Sequence, residues 1–170
     1  MKDSLKQIAL HESGHALAHI LVGLPFSVVT IEPKLDGQSK SQSLGYIQPL
    51  TPYFDDSTSY SGLSSDEFLH SFSIDVTVIA GFISQRVFAK EFDKTGSKTD
   101  FKILNSNRLM NQPEPFRTAY KRFLIAYTFQ LLSMNVHKQM IMKIADELLK
   151  KKTLNYDEVK KIVDQYVGTE

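Results

Sequence analysis

DSLKQIALHESGHALAHILVGLP, residues 3–25, is the segment from which the architecture of this chain can be worked out. Its apolar residues recur at the spacing of one helical face. Asp3 or Ser4 is a suitable N-terminal cap, whereas Gly23 followed by Pro25 ends a helix. The segment therefore predicts an amphipathic helix over residues 3–23, and this helix carries the polar motif analysed below.

The rest of the chain predicts a small hairpin and several further helices. Ser64 and Asn155 each precede a glutamate at the third following position, which is the capping-box pattern of a helix start. Pro49 suits an edge strand. We predict strands over 26–32 and 43–50 and helices over 64–92, 97–110, 114–132, 135–152 and from 155 onward. The expected fold is one mostly α domain, residues 1–170, with a small β-hairpin, in the α+β class.

Composition excludes several classes of protein. The chain has 170 residues, 42% of them hydrophobic, and a net charge of +1, whereas a dedicated nucleic-acid binder normally carries a clear basic excess. The lysine-rich stretch 138–161 is interpreted as the solvated face of a helix pair. The chain has no cysteine, so a zinc site would have to be built from His, Asp and Glu.

No targeting signal or membrane span is predicted. The segments 13–31 and 123–137 lack charged residues, but the first contains two histidines and Pro25, and the second is shorter than a membrane requires. The mean hydropathy is −0.21. We expect a soluble, cytoplasmic protein.

The predicted first helix carries His11-Glu12-Ser13-Gly14-His15, an H-E-x-x-H motif. Four residues advance a helix by about 400°, so the two histidines lie about 40° apart on one face. Two imidazoles so placed can reach one zinc ion. Glu12, directly after the first of them, can accept a proton from a water molecule activated there.

A catalytic zinc requires a third protein ligand. His19 is excluded because it lies about 12 Å from His11 along the helix axis. His70 and His137 are isolated in the sequence and are interpreted as surface or packing residues. A carboxylate remains, and Asp100 follows a glycine-containing turn. Asp100 also fits a second role, because Ser97-x-x-Asp100 resembles a capping box.

Five motifs, in this order, resemble the peptidase domain of the FtsH-type, ATP-dependent, membrane-anchored zinc proteases. They are HESGHALAHILVGLP (11–25), VVTIEP (28–33), LGYIQPL (44–50), TGSKTD (95–100) and KIADELLKKKTLNYDEVKKIV (143–163). The resemblance covers nearly the whole chain. It implies a zincin-like helical metallopeptidase domain with His11, His15 and Asp100 as zinc ligands and Glu12 as the catalytic acid/base.

The chain also departs from that family. Where the family has Gly-Gly-Arg-Ala-Ala-Glu-Glu, residues 81–87 read GFISQRV, so only the first glycine is kept. Pro113 and Pro115 shorten the helix that follows Asp100. The 170 residues contain no Walker-type G-x-x-x-x-G-K-[ST] motif. We therefore expect a stand-alone relative without the family's ATPase or membrane anchor.

The function expected from these patterns is zinc-dependent hydrolysis of short or unstructured polypeptides. The strand over 44–50 would bind substrate by strand addition, and a separate ATPase or unfoldase would be needed to deliver folded substrates. The family resemblance also implies a homo-oligomer. The alternative is a zinc-binding assembly module with little activity, although Glu12 argues against a purely structural site. An intramembrane protease built around 13–31 is disfavoured, because further spans would be required.

Overall fold

The structure, a computed structural model, describes residues 2–33, 45–50, 64–88 and 94–167. Within these ranges it contains six α-helices, three short strands and one 3₁₀-helix. In chain order the elements are α1 (Lys2–Leu21), β1 (Phe26–Thr30), β2 (Tyr46–Pro49), α2 (Ser65–Phe88), α3 (Lys94–Ser106), a 3₁₀-helix (Arg108–Asn111), α4 (Phe116–Ser133), α5 (Asn135–Lys151), β3 (Thr153–Asn155) and α6 (Tyr156–Val167). The predicted fold class, mostly α with a small antiparallel sheet, is confirmed.

Helix α1 lies at the centre of the fold. Every residue from Ala9 to His19 is buried, because α2 and α5 pack against the helix and the sheet and α6 also contact it. The sequence predicted one apolar face, whereas this part of the helix is covered all round. The H-E-x-x-H motif therefore lies in the protein interior.

Gly14 permits α1 and α2 to approach closely. A Cβ atom at Gly14 would lie 2.7 Å from the Ala80 carbonyl oxygen and would overlap the Cβ of Ser84. The Ser84 hydroxyl donates a hydrogen bond to the Leu10 carbonyl at 2.7 Å. The Ser84 side chain of α2 thus bonds to the α1 backbone beside the close contact at Gly14.

The sheet has three strands rather than two. The order is β2-β1-β3 and both pairings are antiparallel, so β1 is central and β2, which contains Pro49, lies at an edge as predicted. The third strand, β3, was not predicted. It is held partly by the Thr30 hydroxyl, which lies 2.7 Å from the Thr153 hydroxyl.

The helix starts marked by capping boxes are confirmed. The Ser64 amide donates to Glu67 Oε2 at 2.8 Å, and the Glu67 amide donates to the Ser64 hydroxyl at 3.3 Å. Asn155 and Glu158 form the same reciprocal pair at 3.0 and 2.9 Å. These local polar signals located both helices correctly.

Other predicted boundaries were wrong. Helix α3 begins at Lys94, so Ser97 lies inside the helix and does not cap it. The helix ends at Ser106 instead of residue 110, because the Asn107 amide turns back to the Leu104 carbonyl and a 3₁₀-helix follows. Strand β1 ends at Thr30 rather than residue 32. The predicted strand start at 43–44 and helix end at 89–92 lie outside the described residues.

A buried polar network joins α2 to the C-terminal half of the chain. Asp75, on α2, is fully buried. It accepts hydrogen bonds from the Asn107 amide group and from the Tyr120 hydroxyl, the latter at 2.6 Å. The carboxyl therefore connects α2, the start of the 3₁₀-helix and α4 within the core.

Within the described ranges, α2 is the one helix long and apolar enough to span a membrane. Neither of the two charge-free segments noted in the sequence coincides with it. Half of its most apolar window is buried inside the structure, as in the core helix of a globular protein. This is weak evidence for a membrane span.

Candidate metal centre

Three side chains from two helices meet in the interior. His11 and His15 lie one turn apart on α1, and Asp100 lies on α3. The two histidine Nε2 atoms are 3.0 Å apart, and Asp100 Oδ2 is 3.1 Å from His11 Nε2 and 3.5 Å from His15 Nε2. Both histidines are 5% exposed, so the cluster is largely shielded from solvent. The structure thus brings together the three residues that the sequence analysis named, and they form a group that can hold a metal ion.

Helix α2 orients the second histidine. His15 Nδ1 lies 2.7 Å from the Thr77 carbonyl oxygen. Since a carbonyl only accepts, Nδ1 carries the proton, and the neutral ring then presents a lone pair at Nε2. This contact fixes the tautomer required of a metal ligand.

Gly81 supplies the space that the two imidazoles occupy. A Cβ atom at this position would overlap His15 Nε2 and would lie 2.7 Å from both Cε1 and Nε2 of His11. Only a residue without a side chain fits here. The packing of the two imidazoles against position 81 gives a physical reason for a glycine there.

Glu12 is buried beside the cluster, at 5% exposure. The start of the segment leading into β2 packs on it, because a Cβ atom at Gly45 would lie 2.8 Å from Glu12 Oε1. Burial raises the pKa of the Glu12 carboxyl above its ordinary value, although His11 and His15 oppose this shift. A carboxylate held in this way binds a proton more readily than an exposed one.

The cluster is electrostatically coupled. Burial by itself lowers the pKa of His15, but the Asp100 carboxylate, assisted by Glu12 and the Thr77 carbonyl, raises it to about 9. Burial would also raise the pKa of Asp100, yet His15 and His11 hold it well below its usual range. The side chains thus form a charge-paired group, and a cation placed among them would take over the role of the imidazole protons.

The other described histidines lie outside this cluster. His19 is buried on α1, where its Nδ1 lies 3.0 Å from the Leu24 carbonyl, and burial lowers its pKa to about 4. His70 is exposed on α2. His137 is buried, with Nδ1 2.6 Å from the Leu131 carbonyl. The interpretation of His70 and His137 as surface or packing residues is confirmed, and His19 is not part of the cluster.

Sequence reasoning missed two residues that support the site. Gly81 was noticed only as a residue shared with the family, and a glycine in a helix does not show which side chain it faces. Thr77 acts through its backbone carbonyl, so no side-chain pattern could have indicated it. Both lie on α2. That α2 borders the site follows only from its packing on α1, which the sequence does not show.

The cluster fits a zinc ion by donor type and spacing. Two imidazole nitrogens and one carboxylate oxygen form a known zinc ligand set, and bonds of 2.0–2.1 Å place ligand atoms about 3.3 Å apart around a tetrahedral ion. The observed separations of 3.0, 3.1 and 3.5 Å bracket this value. Asp100 Oδ2 is buried, and among the described residues it faces only the two imidazole Nε2 atoms. A cation would satisfy this oxygen.

The chain matches no protein-family model, and no curated protein matches it.

Proposed function

We propose that this protein is a zinc metallopeptidase related to the FtsH-type peptidase domains. The observation that carries the proposal is the buried convergence of His11, His15 and Asp100, with Glu12 on the next position of the same helix. A structural zinc site has no need of a buried carboxylate that is not a ligand. The arrangement is the one expected for hydrolysis.

His11, His15 and Asp100 would hold the ion. When bound, zinc supplies Lewis-acid polarisation of a carbonyl group and activation of a water molecule at neutral pH. Two imidazoles and one carboxylate leave a fourth position open, as catalytic zinc sites require. The Thr77 carbonyl fixes the tautomer of His15, which leaves Nε2 of this residue available to a metal ion.

Glu12 would act as the general acid/base. Its carboxylate would take a proton from the attacking water and pass it to the departing amine nitrogen of the cleaved peptide bond. Burial favours the protonated form that the transfer produces. Gly45 packs against Glu12 and so holds the carboxylate in place.

Strand β2 would bind the substrate. It lies at the edge of the sheet, and the residue just before it contacts Glu12. An extended polypeptide that adds to this edge would therefore run past the catalytic carboxylate. Strand addition uses backbone hydrogen bonds and demands an extended chain, so short or unstructured polypeptides are the substrates we propose.

The proposal is tested by metal content and cleavage together. Purified wild-type protein should contain about one zinc per chain and should cleave casein or a peptide library without ATP, in a reaction that a chelator stops. Glu12→Gln is the matched control. It should keep the metal but lower the rate by about 10²- to 10⁴-fold, because only the proton-transfer group is removed.

Two outcomes would contradict the proposal. Full zinc content in an Asp100→Ala variant would remove Asp100 from the ligand set. Zinc-loaded wild-type protein that cleaves no faster than Glu12→Gln would exclude the peptidase. The protein would then be a zinc-binding assembly module.

A further inference from the structure

A groove of about 740 Å³ runs along α3 beside α2, outside the metal centre. Its size is that of a site for a ligand or a few side chains. The described residues that line it are Phe82, Ser97, Lys98, Phe101, Lys102, Asn105 and Ser106. The metal ligands are not among them.

The base of the groove is aromatic. The rings of Phe82 and Phe101 pack edge to face with centroids 5.0 Å apart. Ser97 is only 3% exposed, and its hydroxyl has no hydrogen-bond partner among the described residues. A buried hydroxyl without a partner is unusual in a folded protein. The groove therefore offers an apolar surface with one unused polar group.

Four cationic side chains lie on the lining of the groove or beside its two rings. Lys98 and Lys102 are exposed on the lining of the groove. The Arg86 guanidinium lies 5.7 Å from the centre of the Phe82 ring, and Lys121 Nζ lies 5.9 Å from that of Phe101. Across the described part of the chain, none of the four forms an ion pair. The groove thus carries positive charge that the described residues do not neutralise.

The groove adjoins the metal centre through the backbone. Phe82 directly follows Gly81, which contacts both imidazoles, and Phe101 directly follows Asp100. The aromatic lining of the groove therefore begins one residue along each helix from the metal cluster.

We propose that this groove selects polypeptide substrates in which an apolar residue is flanked by acidic residues. The inference rests on the proposed peptidase function and names its substrate class. The apolar side chain would cover the Phe82 and Phe101 rings, while the flanking carboxylates would pair with Lys98 and Lys102. Nucleic acid is disfavoured as the occupant, since the two rings are packed edge to face on each other and are not both open for base stacking.

The test measures binding and cleavage separately. The binding protein is zinc-loaded Glu12→Gln, and the probe is a short fluorescein-labelled peptide with one phenylalanine among glutamates. The matched probe has glutamine at every glutamate. Fluorescence anisotropy should show tighter binding of the acidic peptide. In Lys98→Glu/Lys102→Glu its Kd should rise about tenfold, while binding of the glutamine peptide should not change.

Lys161→Glu is the matched control, because Lys161 is an exposed lysine of α6 and does not line the groove. Its Kd for the acidic peptide should stay at the wild-type value. Zinc content should be equal in all three proteins, which separates loss of the groove from loss of the metal site.

The outcomes distinguish this inference from the proposed function. If wild-type protein cleaves casein but the two peptides bind equally well, the proposed role of the groove is wrong and the proposed peptidase function is unaffected. If wild-type protein cleaves no substrate but prefers the acidic peptide, and the double variant loses this preference, the proposed role of the groove is supported. Only the proposed peptidase function is then wrong. A labelled single-stranded oligonucleotide is the third probe. If it binds more tightly than the acidic peptide and the double variant no longer binds it, the occupant of the groove is nucleic acid and the inference is wrong.

Discussion

Gly81 faces His15 so closely that a Cβ atom on the glycine would overlap the Nε2 atom of the imidazole. This places the backbone of α2 directly against the two histidines of α1. The rings therefore lie between α1 and the backbone of α2, at a position of α2 where a side chain would not fit. The distance between the two helices and the position of the metal ligands are set by the same contact.

Gly81→Ala should weaken zinc binding by about 10- to 100-fold, the range found when the support of a metal ligand is disturbed. The added methyl group must displace one or both imidazoles from the positions in which they converge with Asp100. Competition with a chelating indicator dye measures the affinity.

The control for Gly81→Ala is the urea-induced unfolding of the metal-free protein. Alanine is favoured over glycine within a helix by about 1 kcal/mol, which offsets part of the cost of about 1–3 kcal/mol for overpacking the two imidazoles, so the variant should remain folded. A folded variant that binds zinc as tightly as the wild type would show that the glycine plays no part in the site.

Substitution of Asp100 should lower the zinc content, whereas substitution of His19 should lower only the stability of the fold. Asp100→Asn should lower zinc content because an amide oxygen without charge replaces the carboxylate. His19→Ala should keep the zinc but lower the free energy of unfolding by about 1–3 kcal/mol, because the partly buried Leu24 carbonyl loses its hydrogen bond from Nδ1. Metal analysis and urea unfolding of both variants check this. Loss of zinc from folded His19→Ala would contradict the ligand assignment.

A peptide inhibitor with a metal-chelating end should lie along β2, Tyr46–Pro49, as an additional strand. Among the described strands β2 lies at the edge of the sheet and would provide the backbone hydrogen bonds, and Gly45 places the start of this strand next to Glu12. A structure of the complex is the measurement. A ligand bound on the opposite side of α1 would contradict the expected path of the substrate.

Asp75 should make the protein less stable as the pH rises from about 4 to about 6. Burial raises its pKa from 3.8 to about 6, although bonds from Tyr120 and Asn107 oppose the shift. The folded state therefore binds the proton more tightly than the unfolded chain. This contribution to stability is present at low pH, is lost as the pH rises through the folded pKa, and amounts to about 3 kcal/mol.

The measurement is the difference in free energy of unfolding between wild type and Asp75→Asn, from urea titrations of metal-free protein between pH 4 and pH 7.5. Asparagine does not titrate, and the Asn107 side chain can turn so that its oxygen, which has no partner among the described residues, accepts from the new amide. Relative to wild type, Asp75→Asn should gain stability as pH rises. Asp164→Asn, at an exposed site, is the control, and a difference that stays constant with pH would refute the buried titration.

Local signals predicted much of the fold. The capping residues Ser64 and Asn155 located two helix starts, because each acts on backbone groups only three residues away. Pro49 placed β2 at an edge for an equally local reason. Strand β3 escaped prediction because three residues between two helices are too few to show a periodicity, and their pairing partner is β1, far away in sequence.

The candidate site was predictable to the extent that it lies on one helix. The spacing of His11 and His15 is a property of α1 alone, whereas Asp100 required the family resemblance, since its place on α3 is fixed by tertiary packing. Ser97 shows the limit of local reasoning. The capping pattern at Ser97 was present, but the helix begins three residues earlier and the serine lies buried within it.

The third strand has a consequence for how the protein is made. β1 reads FSVVT and contains neither a charged residue nor a proline, the features that normally keep an open strand edge from pairing with other chains. It is central only because Thr153–Asn155 cover its second edge. During synthesis these residues leave the ribosome after helices α1 to α5. Until then β1 has no partner on that edge, and association with other chains at β1 is the hazard that late translation of β3 creates.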